Sequence, residues 1–134
     1  MSWTTEKAAI KSAITGISRT PAYRLIPEIL DLEQAPESYR NGGFVIKPIG
    51  SNNPSNITSS KFITTDVAQV DVSYLCNNDT ERDTAFDDFL TVESTIKAIS
   101  GFSGYYTIRT FERVKDHQFY FKGTLRFYIG IRSC

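Results

Sequence analysis

The sequence predicts an α+β fold: a two-layer sandwich in which a mostly antiparallel mixed sheet is covered on one face by helices. Three observations predict it. From Gln118 to Ile131, the residues Phe119, Phe121, Leu125, Phe127, Ile129 and Ile131 stand at every other position, interrupted only by Gly123, with Lys122, Thr124 and Arg126 between them. A period of two is that of a strand buried on one side. The stretch from Phe62 to Cys76 repeats the pattern, with Ala68, Val70, Val72, Tyr74 and Cys76 facing inward and Gln69, Asp71 and Ser73 facing outward. Between these strands Ala85, Phe89, Val92, Ile96 and Ile99 recur at steps of four and three, which is the stripe of a helix lying on a sheet.

The elements follow in the order helix, hairpin, helix, hairpin. The first helix runs from Thr4 to about Ile17, with Ile10, Ile14 and Ile17 at helical spacing, Lys7 and Lys11 left for solvent, and Ser2, Thr4 or Thr5 as its cap. Trp3 either folds back over the first turn or reaches for a partner. Residues 21 to 43 hold Pro21, Pro27 and Pro36, so regular structure there is short, a brief strand or a helical turn starting at Pro27. Phe44 to Ile49 reads as a strand that Pro48 pushes towards an edge or an end. Residues 50–60 read as a mobile loop, rich in Ser and Asn and almost without packing side chains. The second helix starts at Asn77 to Asp83, where Asn78 with Glu81, or Thr80 with Asp83, has the spacing of a capping box. Ser100 and Gly101 end it. A closing hairpin from Tyr105 to Ile131 turns at Lys115, Asp116 and His117, and the apolar face of the sheet is expected to hold Val70, Val72, Ile108, Phe121, Leu125 and Phe127.

Composition bounds the function. At 134 residues the chain makes one domain, 1–134, and its 40% hydrophobic content supports one core without a metal or disulfide staple. Fifteen basic and fifteen acidic residues cancel, which withholds the long-range attraction to phosphate typical of nucleic-acid binders. Cys76 and Cys134 lack metal-site spacing. No segment resembles a secretion signal or reaches the ~20 apolar residues of a membrane span, so the expected setting is the cytoplasm and no membrane partner is expected. Without a secretion signal, the glycosylation pattern Asn56-Ile57-Thr58 carries no weight.

No catalytic constellation emerges, and the chain is expected not to be an enzyme. His117 is the only histidine and lies in a turn beside Asp116, without a base partner or an enclosed site. Asp83, Asp87 and Asp88 with Glu81 suggest a hard-cation site, but acids on an amphipathic helix are ordinarily its solvated face, and no calcium-type loop is present. No phosphate-cradling glycine pattern or nucleophile elbow occurs, and no cofactor is expected. An RNA-stacking face is worth weighing, because Tyr105, Phe111, Tyr120 and Tyr128 share strands with Arg109, Arg113, Lys122 and Arg126. The element order argues against it, since the common RNA-recognition fold begins with a strand.

Laid out in this way, the chain resembles the tail terminator proteins of long-tailed bacteriophages, the family of the lambda-type minor tail protein U, and related tail-completion and head-tail joining proteins. The likeness covers nearly the whole length: a short N-terminal helix, a Pro-containing passage, a strand and polar loop, and the strand Thr64-Thr-Asp-Val-Ala-Gln-Val-Asp-Val-Ser-Tyr74. An Asp-containing turn then leads into an amphipathic helix, and the final alternation is Lys122-Gly-Thr-Leu-Arg-Phe-Tyr-Ile-Gly-Ile131. The long 21 to 43 passage and the Ser/Asn-rich loop depart from the family pattern. The resemblance implies a virion structural protein that forms a ring, usually of six copies, on the last ring of the tail tube. It would end tube growth and offer a surface to the head connector. It also implies a place in the neck of the virion after synthesis in the host cytoplasm, tail tube and connector proteins as partners, and nucleic acid only in passage through the lumen. A small nucleic-acid-binding module is the alternative.

Charge layout supplies candidate contact residues. Residues 28–93 carry a net charge of minus eight, residues 95–134 plus five and residues 1–27 plus three. Arg109, Arg113, Lys122, Arg126 and Arg132 are expected to share the sheet face opposite the apolar one, while the helix offers Asp83, Asp87 and Asp88. Unlike patches on one subunit suit a head-to-tail contact; two separately solvated faces are the plain alternative.

Overall fold

The computed structural model describes residues 3–26, 40–51, 64–99, 102–114 and 119–131. The chain runs α1 (Trp3–Thr15), β1 (Arg24–Leu25), β2 (Gly43–Ser51), β3 (Thr64–Leu75), α2 (Asp79–Lys97), β4 (Phe102–Arg113) and β5 (Tyr120–Ile131). The strands form one sheet in the order β1-β2-β3-β5-β4. Every pairing is antiparallel except β1 with β2, which makes the sheet mixed and the fold α+β.

Burial of alternate side chains accounts for the long central strands. Ala68, Val70, Val72 and Tyr74 of β3 are fully buried, as are Phe44 and Ile46 of β2, and Leu125, Phe127 and Ile129 of β5 lie beside them. They join Ile10 and Ile14 of α1 and Ala85, Phe89, Val92 and Ile96 of α2 in one cluster. Each large buried side chain contributes roughly 1.5–3 kcal/mol relative to exposure, so this cluster is the main source of stability. Gly123 breaks the period of β5 where the Phe89 ring of α2 occupies the space of a side chain. A Cβ at Gly123 would stand 2.5 Å from the Phe89 ring.

α2 begins on Asn78, whose side chain accepts from the Glu81 amide at 2.9 Å, while Glu81 accepts from the Asn77 amide at 3.1 Å. Of the two capping pairs the sequence allows, this one forms. The helix ends at Lys97 with Ala98 as its cap, earlier than the expected stop, and Ser100 and Gly101 lie outside the described residues. Between α1 and β2, strand β1 lays two residues against Gly43 and Phe44. Gly42 turns the chain at a φ of 93°, where any Cβ would also meet the Arg19 guanidinium.

Several expectations need correction. The polar loop does not start at Gly50, since β2 continues to Ser51; the bulge between Pro48 and Gly50 absorbs the proline and pairing resumes beyond it. The remainder of that loop, the segment at Pro27 and Pro36, and the turn at Asp116 and His117 lie outside the described residues. Phe119 does not join the buried row. It precedes β5, its carbonyl accepting from the Cys76 amide, and its side chain is 43% exposed. Ile108 is not on the helix-covered face. The register of β4 on β5 shifts between Tyr106 and Ile108, which sets Ile108 opposite Arg126 and turns the alternation over.

Candidate assembly surfaces

That shift of register decides where the candidate cations lie. Arg109, Phe111 and Arg113 pair with Leu125, Gly123 and Phe121 and therefore face α2, whereas Lys122 and Arg126 of β5 face the other side of the sheet. The expected single basic face is thus two surfaces, because one extra residue in β4 reverses which of its side chains point outward. Arg132 lies outside the described residues.

The first surface runs along the border of β4 with α2. Phe86 of α2 is 37% exposed and meets Phe111 edge to face, with centroids 5.3 Å apart. Phe111 in turn stacks on Phe121 at 5.6 Å, so it anchors the patch to the core. Arg109 reaches back to Glu93 of α2 at 3.2 Å, and that carboxylate is almost wholly buried while the guanidinium side is half-exposed. Arg109 therefore has a structural duty besides any contact, for it neutralises a buried acid. Arg113 lies over the Phe121 ring at 5.4 Å and is otherwise exposed. A cleft of about 190 Å³ opens beside it, lined by Cys76, Asn78, Arg82, Phe119 and Phe121 among others. Burial raises the Cys76 thiol pKa, so the thiol stays protonated and weakly nucleophilic at neutral pH.

The second surface is the sheet face turned away from the helices. Asp71 is buried at its centre and satisfied from three sides. Thr124 donates to it at 2.9 Å, the Gln69 amide donates to both its oxygens at 3.1 Å, and the Lys47 ammonium stands 3.7 Å away. Gln69 passes the chain on by accepting from Arg126 at 2.6 and 3.1 Å. The row Lys47, Asp71, Gln69, Arg126 thereby crosses β2, β3 and β5 as one network. A buried carboxylate left partly unpaired costs several kcal/mol, so this network holds its members in place. Arg40 covers Tyr120 at 5.4 Å at the same face, and Ser73 donates to the Arg40 carbonyl.

The candidate acids also divide. Asp83, beside Arg82 at 3.8 Å, and Asp87 are exposed on α2. Asp88 is half-buried and binds the largely buried Arg19 at 3.1 Å, so it supports the fold as well as bordering the exposed acids. Trp3 is half-buried and packs against the core cluster from the start of α1.

Sequence reasoning missed the centre around Arg19. Its guanidinium donates to Asp88, to the Pro21 carbonyl at 3.0 Å and to Asn41 at 2.8 Å, and it lies over the rings of Tyr23 and Tyr74 at 5.1 and 5.0 Å. The two phenols share a hydrogen bond of 2.8 Å. Burial pushes the Tyr23 pKa up to about 12 and raises that of Tyr74 further. A lone arginine after a helix and a tyrosine in a core row carry no sequence signal for this, because the side chains that complete the centre, Asp88 and Asn41 on Arg19 and Tyr74 on Tyr23, are 69, 22 and 51 residues away. Among the described residues no group of three or more His, Cys, Asp or Glu is placed to hold a metal ion, and no helix is long and apolar enough to cross a membrane. No protein-family model matches this sequence, and no curated protein matches it.

Proposed function

We propose that this chain is a structural protein of a tailed-phage virion, a tail terminator or neck protein that closes the tail tube as a ring of six copies and joins tail to head. The fold behind this reading is a two-layer sandwich in helix, hairpin, helix, hairpin order, with α1 and α2 together on one face. The observation that carries it is the unequal use of the two sheet faces. One is spent on a core shared with both helices, while the other is a row of polar side chains fixed by mutual hydrogen bonds from Lys47 through Asp71 to Arg126. Such a wall keeps its shape without a ligand and suits a lumen, because the carboxylate among its cations tempers attraction to phosphate. Copies of the chain, a tail tube protein and a head-tail connector are its partners. No cofactor or catalytic step takes part, and nucleic acid only passes through. The protein acts in the virion neck after synthesis in the host cytoplasm.

Native mass measurement with electron micrographs of the purified protein tests this. Rings of about six copies are expected, since closed cyclic assemblies follow from head-to-tail contacts whose rotation closes. A monomer at all concentrations up to those of virion assembly would overturn it.

One observation favours a nucleic-acid-binding module as a second reading: Tyr120, Lys122, Arg126 and Tyr128 alternate along one side of β5. Stacking platforms combine such rings and cations. Binding of a single-stranded oligonucleotide that Tyr128→Ala abolishes would move this reading to first place.

A further inference from the structure

The cleft beside Arg113 lies where β3 gives way to α2, at the end of β4 and the start of β5. Its apolar part is made by the buried Phe121 and Cys76, and the exposed Phe119 ring stands beside them. That ring is carried on fixed backbone. The Cys76 amide donates to the Phe119 carbonyl at 2.7 Å, and the Val114 amide donates to the adjoining Tyr120 carbonyl at 2.8 Å. At 43% exposure the ring leaves apolar area that a ligand would remove from water.

Two guanidiniums line the same cleft. Arg113 is held over the Phe121 ring at 5.4 Å, and no carboxylate among the described residues pairs with it. Arg82 stands 3.4 Å from Asp79 and 3.8 Å from Asp83, but those carboxylates are 89% and 77% exposed. Ion pairs so open to water contribute little, so Arg82 can exchange them for a ligand anion. The start of α2 is already served by its own side chains, Asn78 on the Glu81 amide and Glu81 on the Asn77 amide. The guanidiniums therefore carry the charge of the site.

A guanidinium fixed on a ring presents paired N–H donors that match a planar carboxylate. Asp79, Glu81 and Asp83 stand close by, which disfavours a doubly charged phosphate. The cleft, about 190 Å³, is smaller than the ~300–1,000 Å³ of sites that enclose a drug-sized ligand, so it takes a single group rather than a nucleotide. We propose that this cleft binds a carboxylate carried on a small apolar group, with the carboxylate on Arg113 and Arg82 and the apolar part against Phe119 and Phe121. A free aryl or alkyl acid and the C-terminus of a protein ending in an apolar residue share this chemistry. The site is independent of the ring reading.

Titrating the isotope-labelled chain with phenylacetate, and separately with an acetylated tripeptide ending in phenylalanine, tests this by amide chemical shifts. Both should give saturable shifts at Cys76, Asn77 and Phe119, while phenylacetamide, which lacks the charge, should bind about tenfold more weakly or worse. A tighter tripeptide assigns the site to a protein C-terminus and a tighter phenylacetate to a free acid, and either result supports a carboxylate site. Arg113→Gln should weaken binding about tenfold, and Arg113→Lys should restore only part of it, because an ammonium cannot make the paired contact. Phe119→Ala should weaken binding about threefold with an unchanged melting temperature, since that ring is exposed. This second variant decides the matter if Arg113→Gln lowers the melting temperature. No saturable shift with either acid, equal binding of phenylacetamide, full binding by both variants, or inorganic phosphate bound more tightly than either acid would overturn the proposal.

Discussion

Single residues in this molecule act through what they exclude or enclose. Gly123 is the clearest case, for its missing Cβ is the space that the Phe89 ring occupies, and Phe111 lies directly across the strand pair. Gly123→Ala should destabilise the fold by about 1–3 kcal/mol, the usual cost of overpacking a filled core. Urea denaturation checks this, and combining it with Phe89→Leu should recover part of the loss, as neighbouring sites couple. Equal midpoints for Gly123→Ala and wild type would show that α2 does not press on β5 there. The gap at position 123 was legible in the sequence as a break in the alternation. Its cause was not, because Phe89 is 34 residues away along the chain and only packing brings the two together.

At the scale of elements, local chemistry decides ends and packing decides faces. The start of α2 was readable because an N-cap and its partner lie three residues apart. Asn78→Ala should cost about 1 kcal/mol by orphaning the Glu81 amide, seen as a lower denaturation midpoint with an unchanged slope. An unaltered midpoint would mean that water replaces the cap at no cost. β4 shows the opposite case. Its residues alternate weakly, and the register irregularities near Tyr106 send Ile108 to one face and Arg109 to the other. No propensity marks such a bulge in advance, so the sorting of the basic residues, and with it the candidate contact surface, could not be read from spacing. β1 is also decided by context, since two residues have no periodicity to detect.

At the scale of the molecule, the described residues share a core cluster flanked by polar centres around Asp71 and Arg19, and the centre around Arg19 ties the chain after α1 to α2, β3 and the turn at Asn41. The neutral phenols of Tyr23 and Tyr74 give that centre a pH signature. Their folded pKa values lie above the unfolded value of about 10, so their contribution is complete below pH ~10 and is lost as pH rises towards 12. The loss should reach about 2–3 kcal/mol for Tyr23 alone, measured as a falling melting temperature across that window, and Tyr23→Phe should flatten the fall. A melting temperature constant from pH 9 to 12 would contradict the buried pair. The sequence by itself determined the mixture of helices and strands, the inward rows of β3 and β5, the stripe and cap of α2, and the segregation of charge along the chain. These are local or periodic properties, set by side chains within a few residues of one another. Only the tertiary structure decided the strand order, the face on which each arginine lies, the pairing of Asp88 with Arg19 and of Glu93 with Arg109, and the burial of Asp71. Each of these depends on contacts between distant segments, where one shifted register or one close approach reverses what the pattern alone suggests.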